Sequence, residues 1–146
     1  MSIEPRAACG AAIVQNDKIL LLRRLTDPES GHWGLPGGKI DLFETAIDAT
    51  RREVAEETGI TITPQQLLCF VDQIDVARGT HWVAPVYLVT HFTGTPTLME
   101  PTKHDGLDWF PLDALPTPLT TPTINAIAAL RDHGSPEPVP LPSASR

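Results

Sequence analysis

The sequence predicts an α/β fold in which a mixed β-sheet lies between helices. Two observations carry this expectation. Strand-length runs of Ile, Val and Leu stand on both sides of one capped helical segment, and a second capped segment follows near the end of the chain. The 146 residues suffice for one domain with a full core, and no internal repeat is present.

Ala7 to Gln15 and Lys18 to Arg24 are apolar runs separated by the turn-forming pair Asn16-Asp17, which predicts a hairpin. Thr26 to Gly38 holds Pro28, Gly31, Gly34, Pro36, Gly37 and Gly38. So many breakers predict a loop with only a short extended piece around Leu35. Thr45 can cap a helix, with Asp48 three residues on and Gly59 as the residue that stops it. Its inward stripe is Ile47, Thr50 or the stem of Arg51, Val54 and Thr58, with Ala46, Ala49 and Ala55 allowing close approach to a sheet. Gln66 to Val76 and His81 to Phe92 read as strands, and Pro85 predicts an edge or a bulge in the second. Asp108 to Phe110 is a short strand. Thr121 as cap and Pro122 as first residue open a last helix that ends at Gly134. Residues 1–134 then form the domain, and the proline-rich stretch 135–146 is expected to be a poorly ordered tail.

With 41% hydrophobic and 20% charged residues, the composition is that of an ordinary soluble protein, and no apolar run approaches the roughly 20 residues of a membrane helix. Met1 to Arg6 and the run after it lack the pattern of a signal peptide, so the expected location is cytoplasmic. Cys9 and Cys69 sit far apart in apolar runs, as buried free thiols do. A net charge of −7 argues against a nucleic-acid polymer as partner, and an anionic ligand would need a local cation.

The chemistry concentrates in the first helix. Glu53, Glu56 and Glu57 fall at relative positions 0, 3 and 4, on one side of its last two turns. There the helix dipole is negative and disfavours each anion by about 0.3 to 1 kcal/mol at exposed sites. A hard divalent cation reverses both penalties, which points to a metal site rather than a solvated acidic face. Gly37-Gly38, just before, allows the backbone to approach a ligand. Gly38-Lys39 is no Walker loop, because Trp33 and Ile40 stand where Gly and Ser or Thr are required.

From Gly38 the sequence continues with five residues, Glu44, seven residues, and then Arg52-Glu53-Val54-Ala55-Glu56-Glu57-Thr58-Gly59-Ile60. This resembles the Nudix box at every fixed position, and Trp33 to Gly37 resembles the family's lead-in. The resemblance implies an α/β/α Nudix sandwich, a requirement for Mg²⁺ or Mn²⁺, and hydrolysis of a phosphoanhydride bond in a nucleoside diphosphate linked to another group. Carried over position by position, it implies that Glu53, Glu56 and Glu57 hold the metal with the Gly37 carbonyl. Arg52 would orient them, Glu44 would brace the loop, and either Glu53 or Glu56 would be the base. A later loop would add Glu100 or Asp105 as a further ligand.

For the substrate, Arg23 is favoured over Arg24 as the phosphate-binding cation, with Lys39 beside the glycines as a second candidate. Trp33 leads Tyr87, Trp109 and Phe110 as a base-stacking ring. His81, His91 and His104 have no metal-ligand spacing and receive no role. Ile74 to Arg78 lack the proline or tyrosine that marks relatives acting on ADP-ribose or dinucleoside polyphosphates. Met99 to Lys103 and Asp108 to Pro111 look like small relatives acting on nucleoside triphosphates, which implies a nucleoside monophosphate and pyrophosphate as products. The alternatives are hydrolysis of ADP-ribose or another nucleotide sugar, and a non-catalytic nucleotide-binding module. A prenyl-diphosphate isomerase ranks last. The expected partner is a small nucleotide, and a homodimer is left open.

Overall fold

The computed structural model describes residues 4–133 and the strand at 139–140. In chain order its elements are β1 (Arg6–Gln15), β2 (Lys18–Arg24), β3 (Trp33–Gly34), β4 (Gly37–Lys39), α1 (Ala46–Thr58), β5 (Thr61–Thr63), β6 (Gln66–Asp75), β7 (Thr80–Val89), β8 (His91–Thr93), β9 (His104–Pro111), α2 (Thr121–His133) and β10 (Val139–Pro140).

The large sheet grows outward from β1, whose residues Cys9 to Ile13 are all buried. A strand covered on both faces is continuously apolar rather than alternating, as this one is. Asn16 and Asp17 both take positive φ, 53° and 60°, and turn the chain into β2. On one side β1 runs parallel to β7, and β6 and β10 follow antiparallel. On the other, the first half of β1 pairs with β4 and its end with β2, which in turn carries β3 and β9. A separate pair, β5 and β8, lies off this sheet.

Successive residues of the hairpin point to opposite faces. Ala11, Ile13 and Leu20 pack with Val54 of α1 and with Ile60, Ile62 and Val89. Ala12, Ile19 and Leu21 pack with Ala126 and Ile127 of α2 and with Val71 and Val86. Each fully buried Ile or Leu contributes about 1.5 to 3 kcal/mol to holding these layers together. The expected mixed sheet between helices is therefore present, with one helix on each face.

Several boundaries differ from expectation for identifiable reasons. Pro85 lies neither on an edge nor at the bulge, since β7 sits inside the sheet and the register shift in β6 falls between Leu67 and Cys69. Instead the β1–β7 ladder passes from Ala7–Val83 to Gly10–Val86, and Pro85, with no N–H to give, falls in the gap. The loop after β2 contains two short strands, β3 and β4, flanking Leu35 rather than one piece centred on it. The run expected to end at Phe92 breaks at Thr90, so that its last residues pair with β5. Asp108 to Phe110 is the end of a longer strand beginning at His104. Cys9 is buried as expected, but Cys69 is only half-buried. The last helix is capped one residue earlier than expected: Ile124 N–H donates to the Thr120 carbonyl, and Thr121 is already helical. The expectation for 135–146 lies outside the described residues, apart from Val139 and Pro140, which pair with Leu67 and Gln66.

Candidate active site

Helix α1 is built to present its C-terminal end to the sheet. The Thr45 hydroxyl accepts from Asp48 N–H at its start, and Gly59, at φ 76°, closes it by donating to Ala55. The carbonyls left over at the end are taken by a later segment, as Thr97 N–H donates to Thr58 and Met99 N–H to Glu57. One residue further, the Glu100 carbonyl accepts from the N–H groups of Lys103 and His104. That turn carries Glu100 and His104 back towards the side chain of Glu57.

Glu57 is buried with the apolar stripe, only 7% exposed. Gly37 N–H donates to its Oε1 at 2.8 Å, while its Oε2 lies 3.6 Å from His104 Nε2. Burial away from water pushes its carboxyl up to about 8; the Gly37 N–H opposes this, and Glu53 and Glu100 add to it. Donor atoms of Glu57, Glu100 and His104 all lie within 4.8 Å of one another. His104 is 5% exposed, and its Nδ1 has no hydrogen-bond partner. Burial, with Arg24 nearby, lowers its pKa below the ordinary histidine value. A buried acid beside a half-buried one, with the Nε2 side of an imidazole turned towards them, suits a divalent cation far better than these groups suit each other.

Glu53 and Glu56 belong to a second arrangement around Arg52. This guanidinium holds Glu44 in a fork, Nε to Oε2 at 2.7 Å and Nη2 to Oε1 at 3.0 Å. It also donates to Glu53 Oε1 at 2.8 Å, Glu56 Oε1 at 3.2 Å and the Lys39 carbonyl at 3.1 Å. Glu44 in turn accepts from Asp41 N–H, which pins the loop between β4 and α1. Arg52 holds the Glu44 carboxyl below its ordinary value, whereas burial raises that of Glu53 despite the same arginine.

A cavity of about 230 Å³ opens beside Glu57. Gly37, Gly38, His104 and Arg24 line it at this end, and Glu29, Gln73, Trp82 and Pro122 also face it.

The family model for the NUDIX domain matches residues 4–130. The chain belongs to the Nudix hydrolase family. Over 107 residues it is 33% identical to human 8-oxo-dGDP phosphatase NUDT18, a match covering 72% of this chain and 32% of that protein. It is 30% identical over 114 residues to the ADP-ribose pyrophosphatase of Methanocaldococcus jannaschii, covering 78% of this chain and 66% of the other. The chain thus spans about a third of the human relative and just under two thirds of the archaeal one. Among solved structures, a MutT NUDIX hydrolase from Burkholderia pseudomallei is 52% identical, with a TM-score of 0.86 over 87% of this chain and 98% of that one.

Within this Nudix domain, the residues singled out by sequence fall into two groups. Arg52, Glu44, Glu53 and Glu56 form the arginine-centred network, and Glu57 stands apart with Gly37. Of the two later acids, Glu100 joins Glu57, whereas Asp105 is taken by Arg23 at 3.0 Å. Arg23 lies outside the cavity, and the neighbour that lines it is Arg24. Lys39 is exposed at the end of β4. The ring of Trp33 packs edge-on against Phe110 at 4.8 Å, in the cluster beneath α2 rather than in the cavity. Trp109 stacks on Phe92.

Two residues without a role in the sequence reading enter the site. His104 is one. Glu29, at φ 62° in the loop after β2, is the other: it accepts from Gln73 Nε2 at 3.1 Å and from Thr121 N–H and hydroxyl at 2.9 and 3.1 Å. Neither stands out in the sequence, since Gln73 and Thr121 lie far from Glu29, and Glu57 lies far from His104 and Glu100. Among the described residues no helix is long and apolar enough to cross a membrane.

Proposed function

We propose that this chain is a divalent-cation-dependent pyrophosphohydrolase of small nucleotides, acting on a nucleoside triphosphate to give the monophosphate and pyrophosphate. The observation that carries this reading is the cavity, which joins the buried cluster at Glu57 to a polar end at Gln73 and Glu29 beside the Trp82 ring. A phosphate chain suits the first end and a base the second. The names of the two relatives, a phosphatase of an oxidised nucleotide and a pyrophosphatase, support the same reaction class.

Glu57, Glu53 and Glu56, with the Gly37 carbonyl and Glu100, would hold Mg²⁺ or Mn²⁺. A bound ion of this kind screens phosphate charge and makes water acidic enough to attack at neutral pH. Arg52 keeps Glu53 and Glu56 aimed, and Glu44 keeps Arg52 in place. Glu53 or Glu56 takes the proton from the attacking water. Its oxygen bonds to phosphorus in line as a bridging P–O bond breaks, and the electron pair leaves with the displaced phosphate oxygen. Arg24, at the cavity wall, supplies the local cation that an acidic protein needs to accept an anion.

The test is a panel of nucleotides, including oxidised purine nucleotides and ADP-ribose, assayed with Mg²⁺ or Mn²⁺ for phosphate and pyrophosphate release. Triphosphates are expected to give pyrophosphate, and Glu57→Gln is expected to lower kcat by about 10² or more. Turnover unchanged in Glu57→Gln, or none on any nucleotide, would overturn the assignment.

A further inference from the structure

Resting on the reading above, we propose that His104 donates a ring nitrogen to the cation held by Glu57 and Glu100, making the site a mixed nitrogen and oxygen one that prefers Mn²⁺ over Mg²⁺.

Among the described residues the His104 imidazole lacks a hydrogen-bond partner. The side chain is 5% exposed and Nδ1 is unpartnered, while Nε2 is the nitrogen that faces Glu57, so neither ring nitrogen has a hydrogen bond to replace lost hydration. The nearest carboxylate oxygen, Glu57 Oε2, is 3.6 Å from Nε2, beyond a good hydrogen bond. Two atoms that ligate one cation at roughly 2.1 Å stand about 3 to 4.2 Å apart, so this gap and the 4.8 Å limit of the cluster fit shared ligands after a small contraction.

The turn from Glu100 to His104 makes the pair a unit. The Glu100 carbonyl accepts from His104 N–H at 3.1 Å, and β9 begins at His104, anchored by pairing with Arg24. The backbone of both ligands is thus fixed by this turn, and the Glu100 carboxylate is met from the solvent side by Lys103 Nζ at 3.4 Å. Mg²⁺ binds through oxygen and gives up water reluctantly, whereas imidazole is a ligand of the transition metals. A nitrogen at this position therefore favours Mn²⁺.

The experiment uses the full chain and Mn²⁺ as an electron-spin probe. Pulsed EPR of the Mn²⁺ complex is expected to show coupling to an imidazole ¹⁴N. In His104→Gln that coupling is expected to disappear, with the Mn²⁺ Kd rising about tenfold or more and the Mg²⁺ Kd changing much less. The wild-type spectrum stands without the variant, and a far-UV spectrum checks that the variant is folded. Mn²⁺ bound without ¹⁴N coupling, or coupling retained in His104→Gln, would overturn the role of His104 while nucleotide hydrolysis remained intact. Failure of the wild type to bind either ion would remove the proposed function as well.

Discussion

The adjacent glycines before α1 serve different needs, which a single added methyl group separates. At Gly38 a Cβ would overlap the Glu53 carboxylate, the end of a side chain that could swing away only by leaving Arg52. At Gly37 it would overlap the carbonyl of Cys9 and the Cα of Gly10, which are backbone of the central strand and cannot yield. Gly38→Ala is therefore expected to lower kcat/KM at least tenfold while the melting temperature stays within a few degrees. Gly37→Ala is expected to cost about 2 kcal/mol or more of stability. Thermal melts alongside nucleotide assays separate the two, and equal loss of stability in both variants would refute the distinction. The glutamate spacing and the glycine pair were legible in the sequence, because both are local patterns. Which of two neighbouring strand residues faces the cavity was not: Leu22 and Arg24 line it while Arg23 lies outside it beside Asp105, and that choice follows from how β2 sits in the sheet.

At the scale of elements, α1 was readable to the residue because its cap, its stop and its stripe all lie within it. Helix α2 was displaced by one position for the opposite reason, since the group that accepts the N–H of Thr121 is Glu29, far off in sequence. Strands β5 and β8, three residues each, carry too little periodicity to be seen before their pairing is known. Glu29 also receives the amide of Gln73, and so ties the loop after β2 to both α2 and β6 at the far end of the cavity. Removing that carboxylate leaves the first turn of α2 without its partner. Glu29→Ala is expected to destabilise the protein by about 1 kcal/mol, which for a chain of this length lowers the melting temperature by about 3 °C. A shift below half a degree in calorimetry would show that the cap is dispensable.

For the whole molecule, the buried cluster couples folding to pH and to metal. Without a cation, the Glu57 carboxyl is raised from the ordinary 4.5 to about 8 by burial. An unfolded chain thus loses that proton near 4.5 while the folded one keeps it until about 8. The stabilisation is complete below 4.5 and is lost as pH rises through 8. His104 is shifted the other way, its pKa lowered by burial, so its contribution grows with pH but is complete once pH exceeds the ordinary histidine value of 6.5. Between 6.5 and 8 the raised carboxyl of Glu57 gives the slope its sign. In chelator, the melting temperature is expected to fall over this interval, and Glu57→Gln, which has no proton to lose, is expected to flatten the fall. A divalent cation replaces the proton with a charge that the carboxylate prefers, so Mn²⁺ is expected to raise the melting temperature more at pH 8 than at pH 6. Melts at these two pH values, with and without the ion, supply the measurement. A cation-induced shift that is larger at pH 6 would mean that Glu57 is not where the ion and the proton compete.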